Sequence, residues 1–152
     1  MLIRGFLLSC ALGIALAAQA AAAPMDDSAE RAMRDADLVA GTAAAKAGQY
    51  DAAIGLLQRV LASDANNADA HNMLGFAHRK RGDMSIARTH YRQALTLAPD
   101  HKGALEYYGE WFLQTGDRAG AERLRARLAA VCPAGCEELE DLDAALAAAG
   151  TN

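Results

Sequence analysis

Aromatic side chains are scarce in this sequence, at 5% of 152 residues, and prolines number only three. A core short of large rings must be filled by smaller groups. The 53% hydrophobic content, much of it alanine, therefore points to helices packed at close approach. An excess of positive charge is also missing. Lys and Arg total 15 against 19 Asp and Glu, a net charge of −4, which excludes the broad basic surface that a nucleic-acid backbone requires. Cysteine is confined to positions 10, 132 and 136. The first apolar run, residues 6–18, falls short of the about 20 residues that a membrane-spanning helix needs.

That run has its own logic. Arg4 gives a short positive start, and Ala18-Gln19-Ala20 places small residues where signal peptidase cuts, so residues 1–20 read as a cleaved secretory signal. The alternative is an uncleaved N-terminal anchor. Leu7-Leu8-Ser9-Cys10 looks like a lipobox, but too few apolar residues precede it. Cleavage near Ala20 removes Cys10 and leaves Cys132 and Cys136, an even pair in an oxidising compartment, which suggests a disulfide. The expected location is periplasmic or secreted. Residues 21–33, alanine-rich and then acidic, read as a leader.

A period of 34 residues runs through the rest. It relates Gly41, Gly75 and Gly109, then Gly48, Gly82 and Gly116, then Ala53, Ala87 and Ala121; Pro99 and Pro133 share it. Independent columns agreeing on one interval mark an internal repeat. Each unit reads as two helices. In the middle one the pattern predicts a helix over about 69–81, a break at Gly82-Asp83, and a second helix over about 84–97 with Ile86, Ala87, Ala94 and Leu97 facing inward. The small columns are expected where paired helices come closest.

With Leu74-Gly75, Ala87, Tyr91, Ala94 and Pro99 at their offsets, the chain resembles the tetratricopeptide repeat family. The middle unit, 68–101, fits best, with His71 and His78 replacing usual packing residues. The first, 34–67, has Asp37 and Ala40 in place of bulky and leucine positions; the third, 102–135, departs at Arg125, where an aromatic is usual. The resemblance implies an all-α, right-handed solenoid of three helix-turn-helix repeats. Residues 136–152, with Leu139, Leu142 and Leu146 on one stripe and acidic residues at the start, read as a capping helix and tail.

In that family the first helix of each repeat lines a concave surface. Carried onto this chain, the resemblance gives Leu38, Thr42 and Lys46, then Asn72, Phe76, Arg79 and Lys80, and finally Glu106, Glu110 and Gln114. Arg79-Lys80-Arg81 is expected to attract a partner's carboxylates, against the alternative of a solvated helix end. Thr42 and Phe76 stand where the family's carboxylate clamp uses asparagine, so that specificity is not implied. Trp111 is expected to pack rather than to anchor a partner. Cys132 and Cys136 read as a structural disulfide between the last repeat and the cap.

His71, His78, His90 and His101 read as structural histidines, with no metal and no cofactor implied. Glu106 and Glu110 lie one helical turn apart, but no nucleophile, metal cage or phosphate loop accompanies them. The expectation is thus a binding protein and not an enzyme. It takes a protein or peptide through its concave groove, with a structural subunit of an envelope complex as the alternative.

Overall fold

In a computed structural model of the chain, residues 27–150 are described. The expected signal lies outside the described residues. Seven helices follow one another: α1 (Asp27–Lys46), α2 (Tyr50–Ser63), α3 (Ala68–Arg81), α4 (Met84–Leu97), α5 (Lys102–Gln114), α6 (Arg118–Val131) and α7 (Glu137–Ala149). Consecutive helices pair as α1–α2, α3–α4 and α5–α6, and the pairs stack, with α7 packed on both α5 and α6. The first helices form a continuous inner row, since α1 touches α3 and α3 touches α5. This is a helical-hairpin solenoid with a capping helix.

The turns follow from glycine. Gly48, Gly82 and Gly116 take φ of 78°, 91° and 83°, left-handed conformations that L side chains rarely adopt, so the break between paired helices recurs every 34 residues. The second recurrent signal is the N-cap. Asn67 accepts the Ala70 N–H at 2.9 Å to start α3, and 34 residues later His101 Nδ1 accepts the Ala104 N–H at 3.2 Å to start α5. His101 Nε2 then donates to Asp69 Oδ1 at 2.9 Å, tying the start of α5 to α3.

Packing explains the small columns. Ala53, Ala87 and Ala121 are wholly buried. A Cβ added to Gly41 would lie 2.8 Å from Leu57, and one added to Gly75 would lie 2.6 Å from the Tyr91 ring, each on the partner helix of the same hairpin. Leu57 and Tyr91 are themselves 34 apart. The next member of that column is Arg125, which cannot fill an apolar crossing. Leu142 of α7 supplies the bulk instead, its Cδ1 standing 2.7 Å from a Cβ placed on Gly109. Arg125, on α6, turns outward and holds Asp143 of α7 through two bonds of 2.6 and 2.9 Å. The cap thus completes the third hairpin.

Two expectations are corrected. Residues 27–33 are not part of a leader: they form the first turns of α1, whose sequence Asp-Ser-Ala-Glu-Arg-Ala-Met contains no breaker and puts Asp27 and Glu30 at the favourable end of the helix dipole. Ile86 does not face inward; it is 44% exposed, while Ala87 beside it is buried. Consecutive residues point about 100° apart around a helix, and here it is Ala87 that takes the crossing while Ile86 turns away from it. Trp111 packs as expected, buried against α4, with its Nε1–H donating to the Met84 carbonyl at 2.8 Å.

Candidate binding site on the concave face

The inner row of first helices carries the residues that the sequence singled out, but in three different situations. Phe76 of α3 is half-buried, its ring centroid 4.9 Å from that of Tyr107 on α5, and the Lys80 ammonium stands 5.5 Å over the same ring. Lys80 and Gln114 are exposed. These three remain accessible on the inner row.

Arg79 is not, and the expectation that it captures incoming carboxylates is corrected. Its residue is only 3% exposed, its Nε–H donates to the Tyr91 hydroxyl at 3.2 Å, and its guanidinium is paired with the Glu110 carboxylate across α3 and α5. Burial pushes the Tyr91 hydroxyl above its ordinary range against the lowering pull of Arg79, so it stays neutral and accepts that bond. Arg81 is also committed, to Asp51 at 2.7 Å and Asp83 at 3.3 Å. Of the three consecutive cations only Lys80 lacks a carboxylate partner among the described residues. Arg79 and Glu110 are therefore an internal strut, and a buried one needs both members.

Asn72 and Glu106, each 5% exposed, form the third situation. They are one repeat apart in the sequence and line a common cleft of about 230 Å³. Thr42 and Lys46 of α1 close one side, and Glu137, Glu138 and Asp141 of α7 close the other. Asn72 Oδ1 has no hydrogen-bond partner there. Burial first, then the charges of Glu110, Asp141 and Glu138, push the Glu106 carboxyl up to about 8. Tyr107 beside it is pushed up to about 12 by burial and by Glu106 and Glu110.

The three acidic residues of α7 were read from sequence only as complements to a helix dipole, and their place in the groove was missed. One signal did exist. Carrying the 34-residue period one step further puts Leu142 on the column of Leu74 and Tyr108, and Asp141 on that of Tyr107. By register, α7 is a fourth first helix.

The expected disulfide is present between Cys132 and Cys136, with Cα atoms 6.0 Å apart, at the turn from α6 into α7. The histidines lie between α3 and α4 or at a cap. His71 and His90 meet through their Nδ1 atoms at 3.0 Å, and His78 contacts Asp83 at 3.1 Å. Burial and the charges of His71 and His78 hold His90 down to about 4. No helix among the described residues is long and apolar enough to cross a membrane.

Comparison with known proteins agrees with this architecture. Residues 68–101 match a tetratricopeptide repeat model, and residues 41–82 match a second TPR repeat model. A probable biofilm formation methyltransferase, WspC, of Pseudomonas putida is 38% identical over 94 residues, covering 61% of this chain and 22% of that protein. The chain thus spans about a fifth of the length of the curated relatives it matches. Among solved structures, the second TPR domain of human RPAP3, in complex with an HSP70 peptide, superposes with a TM-score of 0.68 at 20% identity, over 81% of this chain and 99% of that one. An O-GlcNAc transferase of Thermobaculum terrenum gives 0.70 at 23% identity, over 77% of this chain and 22% of that one. Both likenesses are of fold. Over residues 41–101 the chain is similar to the tetratricopeptide repeat models, and its period, glycine turns and buried alanine columns run in register with the matched segments.

Proposed function

We propose that the protein is a peptide- or protein-binding adapter that receives a segment of its partner along the inner row formed by α1, α3, α5 and α7. The observation that carries this reading is the cleft shared by all four helices, where Asn72 and Glu106 are buried and Asn72 Oδ1 lacks the partner that such a group ordinarily finds in a folded interior. A preformed surface of this kind limits the ordering cost of association. The RPAP3 domain of similar fold is complexed with a peptide, which supports a peptide as the class of ligand. That peptide, SGPTIEEVD, is acidic, whereas the cleft here is lined by carboxylates. The partner segment must therefore differ in charge.

The WspC relatives share only this portion of their length, and no group in the cleft is arranged as a nucleophile with its base, so a non-catalytic role is part of the proposal. Export to the periplasm or the exterior is the other part. It rests on Arg4, the apolar run 6–18 and Ala18-Gln19-Ala20, and the bonded Cys132–Cys136 pair suits an oxidising compartment. The mature N-terminus, measured by intact mass in the native host, is expected close to residue 21.

Selection of a random peptide display library on the folded protein tests the adapter reading. Bound peptides are expected to shift the amide resonances of Thr42, Phe76, Tyr107 and Gln114 on the inner row. Shifts confined to α2, α4 and α6 would place recognition on the outer face and overturn it.

A further inference from the structure

The cleft between α1, α3, α5 and α7 holds an imbalance that the fold itself does not resolve. Glu106, Glu137, Glu138 and Asp141 face it, against Lys46 as the cation of the lining. Lys46 is exposed, and no ion pair joins it to these carboxylates among the described residues. Lys102 reaches Glu138 from outside the lining, at 3.7 Å. Asn72 also lines the cleft, and its Oδ1 is a buried acceptor without a donor, on a residue that is 95% buried. Its amide is held beside Gly103, where an added Cβ would come within 3.1 Å of Asn72 Nδ2. An acidic rim is ordinary surface in a protein of this charge. An unmet buried acceptor beneath it is not, because such a group costs stability unless something donates to it.

A ligand that answers both features carries positive charge and several N–H donors on a slender stem. Taking the concave face as the recognition surface, we propose that this cleft receives a basic side chain, lysine or arginine, of the bound segment, with Asn72 Oδ1 and the Glu106 carboxylate accepting its N–H groups and Glu138 and Asp141 supplying the surrounding negative field. An anionic ligand meets the carboxylates of Glu137, Glu138 and Asp141 here, and a neutral apolar one leaves Asn72 Oδ1 without a donor. The volume, about 230 Å³, suits one such side chain and not a folded element.

Binding carries a proton signature. In the empty cleft the Glu106 carboxyl sits at about 8, raised by burial and by Glu110, Asp141 and Glu138 and lowered slightly by Arg79, so near neutrality it is largely protonated. A cation placed against it favours the ionised form. The ligand keeps its charge, Glu106 loses its proton, and the proton passes to the buffer.

The test uses the folded, disulfide-bonded protein with Nα-acetyl-lysine methylamide and its neutral counterpart Nα-acetyl-norleucine methylamide as probes. The lysine compound is expected to give saturable shifts of the Asn72 side-chain amide and the Gly103 backbone amide, and the norleucine compound none. Glu106→Gln is expected to weaken the lysine compound by on the order of tenfold, and the exposed Asp141→Asn by a smaller factor. Titration heats in buffers of different ionisation enthalpy should report proton release for wild type and none for Glu106→Gln. Equal responses to both probes, or unchanged affinity in both variants, would overturn the assignment. Library peptides separate this outcome from the adapter reading. Peptides that bind the inner row without a basic residue, and equally well to Glu106→Gln, remove the cation site and leave the groove. A lysine probe that binds as described while no peptide does supports the cation site and removes the groove.

Discussion

Glu106 is where burial and ionisation conflict most sharply. Its carboxyl titrates at about 8 in the folded chain against 4.5 in the unfolded one, so both states are protonated at low pH, and the folded state is increasingly disfavoured as pH rises from about 4.5 through about 8. Glu106→Gln should remove that loss. Its melting temperature is expected to match wild type near pH 4 and to exceed it by several degrees near pH 9, as read by circular dichroism; a constant offset across that range would count against the buried carboxylate. His90 works in the opposite sense. Held down to about 4 against 6.5 when unfolded, it withdraws stability as pH falls between those values, and His90→Gln should flatten that acid limb alone. Residue-level legibility was uneven. The offsets placed Asn72, Phe76 and Glu106 on the inner row, but offsets do not say which way a long side chain turns. Arg79 and Lys80 are adjacent and cationic, yet one spans to Glu110 and Tyr91 inside while the other lies over Phe76 outside.

Among the elements, crossings and caps decide what a change costs. Ala87 of α4 is fully buried in the core shared with α5 and α6, and Ala87→Leu should overpack it by about 1 to 3 kcal/mol, measured by urea unfolding. Leu142→Ala should cost about 2 to 5 kcal/mol, a large effect for a terminal helix, because Leu142 fills the space over Gly109 that the partner helix fills in the other two hairpins. An effect under half a kcal/mol would show that α7 is an accessory. The sequence made the helices legible through period and glycine, down to the break at Gly82. The role of α7 was legible only as a leucine stripe. Its membership of the inner row became visible when α5 and α7 were seen to pack together, because a half-repeat lacks the glycine and alanine columns that announced the others.

For the whole molecule, stacked units contact only their neighbours, so stability should grade along the chain. Hydrogen exchange is expected to be slowest in α3 and α4 and to quicken toward α1 and α7, the elements with a neighbour on one side only. The Cys132–Cys136 bond closes a very short loop, so reducing it should leave the melting temperature nearly unchanged and raise exchange selectively within 137–149. The acidic cleft has a different relation to this gradient. Thr42, Asn72, Glu106 and Asp141 come from four separate units, so the cleft exists only in molecules whose whole array is closed. Its apparent affinity is the intrinsic one scaled by the closed fraction, and an α7 that is open half the time halves it. A ligand in that cleft is accordingly a gauge of intactness: fraying at either end of the stack is felt at its centre as lost occupancy, long before it is felt as unfolding.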